Sequence, residues 1–110
     1  MPVPAIVSIL HRATGAVMVL LMIPLLLSSL DASLASQESF EDLRFAFGNP
    51  LLKIVVIGLV WSFIHHFLAG IRYLLLDLHI GIDLPTTRFW SKAVLVTGGI
   101  LTILVAVAIW

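Results

Sequence analysis

The sequence predicts an all-α membrane protein with three transmembrane helices, and three observations carry that prediction. Of its 110 residues, 61% are hydrophobic and only 11% are charged, whereas a soluble domain is roughly half apolar and about a quarter charged. Mean hydropathy is +1.17. Three stretches, Ala13–Leu30, Ile54–Ile71 and Ala93–Trp110, contain no Asp, Glu, Lys or Arg over 18 residues each. Each makes about 27 Å of helix, close to the ~30 Å of a bilayer's hydrocarbon core. The formal net charge of zero gives nucleic acid no footprint, and the absence of cysteine excludes disulfides, thiolate chemistry and iron–sulfur ligation within this chain. Any redox chemistry here needs another cofactor.

Residues 1–110 are expected to form one transmembrane domain with spans near 6–30, 51–78 and 90–110. Pro2 and Pro4 precede the first span, and proline suits a first helical turn. Pro24 falls inside that span, where it is expected to kink the helix. A cleaved signal peptide is the rival reading, because Ser33-Leu34-Ala35 looks somewhat like a cleavage site. The apolar run exceeds the ~7–15 residues of a signal core, so an intact span is expected. The polar, acidic segment 31–49 follows, with a short interfacial helix over Ser39–Phe47. Asn49-Pro50 has the form of an N-cap and first-turn proline for the second span. Gly81 and Pro85 are expected to break the loop 79–90, and Trp90 and Trp110 bracket the third span as interfacial anchors. Arg12, Arg72, Arg88 and Lys92 fall at one membrane face against Arg44 and Lys53 at the other. That excess places the N-terminus and second loop in the cytoplasm.

Two polar constellations interrupt the apolar spans. Ionisable groups inside a bilayer are expensive and mark function by default. Helical spacing puts Ser62, His66, Gly70, Tyr73 and Asp77 on one stripe, and Trp61, His65, Ala69 and Arg72 on the next. Both histidines therefore cannot face one ligand. His66 is the better candidate for a metal-centred cofactor, because Gly70 removes a side chain one turn away and leaves room for a flat macrocycle; imidazole is a common haem axial ligand. The competing role is an interhelical hydrogen bond, and for His65 that structural role is expected. Arg72 and Asp77 form either an interfacial ion pair or part of a proton route, the ion pair being favoured. In the first span, Ser8, His11, Arg12 and Gly15 share a stripe. Its hydroxyl, imidazole and guanidinium suit a quinone carbonyl or a haem propionate, against the alternative that Arg12 only snorkels to anchor the helix.

Two motifs resemble those of a known family, the cytochrome b anchor subunits of succinate dehydrogenase. Ser8-Ile9-Leu10-His11-Arg12-Ala13-Thr14-Gly15 is similar to its S-x-x-H-R-x-[ST]-G signature. His66-Phe67-Leu68-Ala69-Gly70-Ile71-Arg72-Tyr73-Leu74-Leu75-Leu76-Asp77 is similar to its H-x-x-x-G-x-R-[H/aromatic]-x-x-x-D signature. The resemblance covers nearly the whole chain and implies a subunit embedded in a heteromeric helical bundle. It implies that His66 is one axial ligand of haem b, shared with a second, smaller anchor subunit that supplies the other. It assigns Ser8 and Arg12 to a ubiquinone pocket, His11 and Arg12 to the haem propionates, and Asp77 to the quinone end, where it stands as a candidate proton route. Gly70, Arg72 and Tyr73 complete the cofactor-binding set. Flavoprotein and iron–sulfur subunits are the implied soluble partners, and a bacterial-type inner membrane the implied location. Tyr73 departs from a histidine found in many relatives, and only seven residues precede Ser8 where the family often has more. The alternatives are a quinol:fumarate reductase anchor and a non-catalytic membrane scaffold or assembly protein. A small transporter ranks below them, because no second-half repeat is present.

Overall fold

A computed structural model describes residues 2–80 and 82–110; the expected breaker Gly81 lies outside them. Among the described residues every regular element is helical. The first span is α1 (Val3–Val17), a π-helical turn over Met18–Met22 and α2 (Ile23–Ala35), continuous from Val3 to Ala35. A short α3 (Gln37–Phe47) leads into α4 (Pro50–Asp77), and α5 (Leu84–Ile109) closes the chain. The first span, α4 and α5 are each long and apolar enough to cross a membrane. The whole measures 56 × 24 × 21 Å.

Local chemistry sets the boundaries. Pro24 has no N–H to give and would crowd the preceding turn. The chain answers with a π-turn just ahead of it, in which the Ile23 N–H reaches back to Met18 O. Ser36 caps α3 by accepting the Ser39 N–H at 2.9 Å, and Asn49 caps α4 by accepting the Leu51 N–H at 2.8 Å. Pro85, expected to break the second loop, lies instead in the first turn of α5, which starts at Leu84. The reason is Asp83, whose carboxylate accepts from the Thr86 hydroxyl at 2.7 Å and the Thr86 N–H at 3.3 Å. Those bonds, the hydroxyl's foremost, hold the Asp83 carboxyl below the usual carboxylate range. A first-turn proline behind an N-cap promotes a helix.

The far end of α4 closes differently. His79 adopts a left-handed backbone, φ 61°. Its N–H donates to Leu76 O and the Ile80 N–H to Leu75 O, both at 2.9 Å. This is a Schellman closure, normally reserved for glycine.

The helices pack through small and hydroxylated residues. Val7 of α1, Ala69 of α4 and Val94 of α5 form the buried apolar centre, flanked by Leu68 and Leu95. Around it Thr14, Ser62, Ser91 and Thr102 are buried. Each hydroxyl is satisfied within its own helix, on Leu10 O, Gly58 O, Thr87 O and Gly98 O respectively. Such contacts bring membrane helices close without exposing unpaired polar atoms to lipid. Lys53 Nζ stands 5.4 Å from the Trp110 ring at one end of the α4–α5 pair, and Arg72 shares a cavity with Trp90 at the other. The two helices are therefore antiparallel.

The His79 closure is testable. His79→Gly is expected to stabilise the solubilised protein by at most about 1 kcal/mol, since relief of the left-handed backbone outweighs glycine's looser unfolded chain. His79→Pro is expected to destabilise it, because φ near about −65° is incompatible and the bond to Leu76 is lost. Thermal unfolding midpoints in detergent check both.

Candidate functional site

The site is built where the second half of α1 meets α4 around His66. Gly15 lets the helices approach: a Cβ at that position would stand 3.0 Å from His66 Cε1. The His66 ring therefore lies against bare backbone. Its Nδ1 is 3.0 Å from His11 O and 3.3 Å from Thr14 Oγ1. One face of the ring is covered by His11, with centroids 4.1 Å apart and planes 6° from parallel. His11 in turn touches Tyr73, centroids 5.0 Å apart and tilted by 56°. The neighbour facing Gly70 is His11, whose Nε2 would lie 3.9 Å from an added Cβ, so an imidazole stands where room for a flat group was expected.

Ser8, His11, Arg12 and Tyr73 line a shallow cleft of about 250 Å³ beside this stack. Ser8, His11, His66 and Tyr73 are half-buried, and Arg12 is exposed. A hydroxyl, a guanidinium, a phenol and an imidazole thus open onto one space, with donors enough for a carbonyl or carboxylate oxygen.

The two neighbouring histidines occupy different environments. His65 is completely buried and makes no well-formed hydrogen bond, its polar contact being a weak one with the Val7 backbone; its ring stacks on Trp61 at 5.1 Å. His66 Nε2 carries no hydrogen bond either, yet it is not sealed inside the protein. Ser62 packs with His65, Ala69 and Arg72 on the buried face of α4, away from the stripe that helical spacing gave it with His66. Both placements agree with helical geometry, since residue 62 is three before 65 and four before 66.

Arg72 and Asp77 lie outside the cleft. Arg72 is 6% exposed with an unpartnered Nε. It lines an apolar cavity of about 150 Å³ between α4 and α5 with Leu68, Leu75, Trp90 and Val94, and its Cζ sits 5.5 Å from the Tyr73 ring. Asp77 is exposed and forms no ion pair with Arg72, which corrects the expected pairing. Five residues apart on a helix, the two point in different directions. Thr14 carries no role in the sequence reading, although it is buried and touches His66. The signal available was the Ser/Thr position of the first motif, which Thr14 fills three residues after His11.

A model of the succinate dehydrogenase/fumarate reductase transmembrane subunits matches residues 1–106. The chain belongs to this family. It is 36% identical over 110 residues to the succinate dehydrogenase cytochrome b556 subunit of Coxiella burnetii, spanning 99% of this chain and 87% of that protein. To the subunit of the same name from Paracoccus denitrificans it is 29% identical over 104 residues, spanning 94% and 79%. The three long helices and the family together make it a multi-pass membrane subunit of cytochrome b type.

The poorly satisfied His65 predicts an asymmetry with its neighbour. Replacing an unsatisfied buried polar group with an apolar one of similar size is neutral or stabilising. His65→Leu is therefore expected to preserve the thermal unfolding midpoint and yield of the purified protein.

Proposed function

We propose that this chain is the haem b-binding anchor of a succinate dehydrogenase and contributes to the site where ubiquinone is reduced. One observation carries this reading: a half-buried imidazole with an unbonded Nε2, fixed at its other nitrogen, beside a cleft lined by Ser8, His11, Arg12 and Tyr73. The names of the relatives, both cytochrome b556 subunits of succinate dehydrogenase, support the same assignment.

The residues present fit a haem. Among the described residues no three His, Asp or Glu side chains converge on a point. A porphyrin supplies four of an iron's ligands itself, so one or two protein imidazoles suffice. His66, through its unbonded Nε2, would hold the iron from this chain. A second donor would come from a smaller anchor subunit packed against it, in a bundle where this chain supplies three of the helices. His11 and Arg12 would face the propionates, with Gly70 and Tyr73 beside them. Arg72 belongs to this set only if a partner or the cofactor reaches the α4–α5 side, where its guanidinium lacks an anion. When bound, haem b supplies a one-electron reservoir close to the quinone.

The cleft performs the quinone chemistry. Ubiquinone accepts two electrons and two protons, the electrons arriving from the iron–sulfur subunit, which the flavoprotein loads from succinate. Ser8 Oγ and the Arg12 guanidinium donate hydrogen bonds to one carbonyl oxygen, and the positive charge stabilises negative charge developing there. The Tyr73 hydroxyl borders the same space. Asp77, exposed at the end of α4, is placed to exchange protons with water at the membrane surface, its suggested part in a proton route. The excess of basic residues at this end supports a site on the cytoplasmic side of a bacterial inner membrane. An anchor of a quinol:fumarate reductase would use the same residues in the reverse direction.

In the assembled complex, His66→Ala is expected to abolish the reduced b-type absorption bands, while His65→Leu retains them; unchanged bands in His66→Ala would refute the ligand assignment. Arg12→Leu is expected to lower quinone reduction at least tenfold, the scale of one lost charge-assisted contact. Succinate oxidation by a soluble artificial acceptor should survive. Equal loss of both activities would point to failed assembly.

A further inference from the structure

We propose that Thr14, together with the main-chain carbonyl of His11, is the positioning device that selects the tautomer of His66 and sets its strength as a ligand. This rests on the haem assignment above and goes beyond it to the residues that hold the ligand.

The proton assignment follows from what each neighbour is able to do. A carbonyl oxygen only accepts, so the 3.0 Å contact between His66 Nδ1 and His11 O requires hydrogen on Nδ1. Thr14 Oγ1 lies 3.3 Å from the same nitrogen. Its own hydrogen is directed at Leu10 O, 2.7 Å away, with His11 O a second acceptor at 3.1 Å. The threonine oxygen therefore offers Nδ1 a lone pair. Both neighbours demand the same tautomer, and a neutral imidazole protonated at Nδ1 leaves Nε2 bare for a metal.

Orientation is fixed as well as protonation. The Cε1 edge of the ring abuts the Gly15 backbone, where a methyl group would stand 3.0 Å away, and the parallel His11 ring covers one face. With Nδ1 anchored, the ring has little freedom to rotate, and Nε2 keeps one direction. An acceptor on the distal N–H of a ligating histidine also raises its basicity. A more basic imidazole favours the ferric state and draws the haem potential down.

The test is a redox titration of the haem in purified complexes carrying Thr14→Val, Thr14→Ala or Thr14→Ser, with the electron paramagnetic resonance spectrum of the ferric haem recorded on each. Valine keeps the shape of threonine and removes the acceptor; serine keeps the acceptor. The expected result is a midpoint potential more positive than the wild type in Val and Ala, and near the wild type in Ser. Gly15→Ala should change the g-values by turning the ring. If Val and Ala fail to load haem while Ser loads it, the hydroxyl is required and the proposal stands. Wild-type potential and g-values in Val or Ala would overturn it, as would haem loss from all three variants, Ser included. A wild-type complex without haem, or one whose haem survives His66→Ala, would instead sink the underlying haem assignment.

Discussion

The close approach of α1 to α4 at Gly15 is the constraint on which the site depends. A side chain larger than hydrogen there would press on the edge of the His66 ring, and the imidazole would have to shift or turn to admit it. With Gly15 in place, one ring is held at its edge, on one face and at one nitrogen by a single turn of a neighbouring helix. Three contacts of modest individual strength define a direction because they act on different atoms of one rigid group.

The same fold sorts its polar groups into two kinds. Hydroxyls on the buried faces close onto carbonyls of their own helices and ask nothing of their surroundings. The buried imidazole of His65 and the Arg72 guanidinium are not satisfied in this way. His65 is sealed with at most a weak contact to the Val7 backbone, and Arg72 retains an unpaired nitrogen. In a low-dielectric setting such groups are costly. Their presence implies either a compensating group from outside this chain or a stability margin supplied by the small-residue packing around Val7, Ala69 and Val94. The broad apolar exterior, with large side chains such as Leu20, Leu27, Phe67 and Ile103 exposed, leaves ample surface for both lipid and neighbouring subunits.

Much of the architecture was legible in the amino-acid sequence. Charge-free runs long enough to cross a bilayer leave helices as the economical solution, because each backbone group must be satisfied within its own segment. Asn49-Pro50 marked the start of α4 through its cap chemistry. Pro85 was less readable: alone it looks like a breaker, and only the Asp83 cap turns it into a helix start. Pro24 announced a disturbance but not its form, a π-turn placed before the proline. The left-handed His79 carries no sequence signal, since glycine is the residue that normally marks such a closure.

For the site, sequence spacing alone placed Ser8, His11 and Arg12 on one face of the first helix, and His66, Gly70 and Tyr73 on one face of the second. Periodicity within a helix determines these groupings whatever the helices later touch. Tertiary structure decided how the two faces meet. It set His11 flat against His66, made Gly15 the point of contact, and brought Thr14 to the imidazole. It also turned Arg72 towards α5 and left Asp77 in the open. These outcomes depend on the rotation and crossing of one helix against another. Those quantities arise from the packing of both surfaces together, and neither helix encodes them by itself.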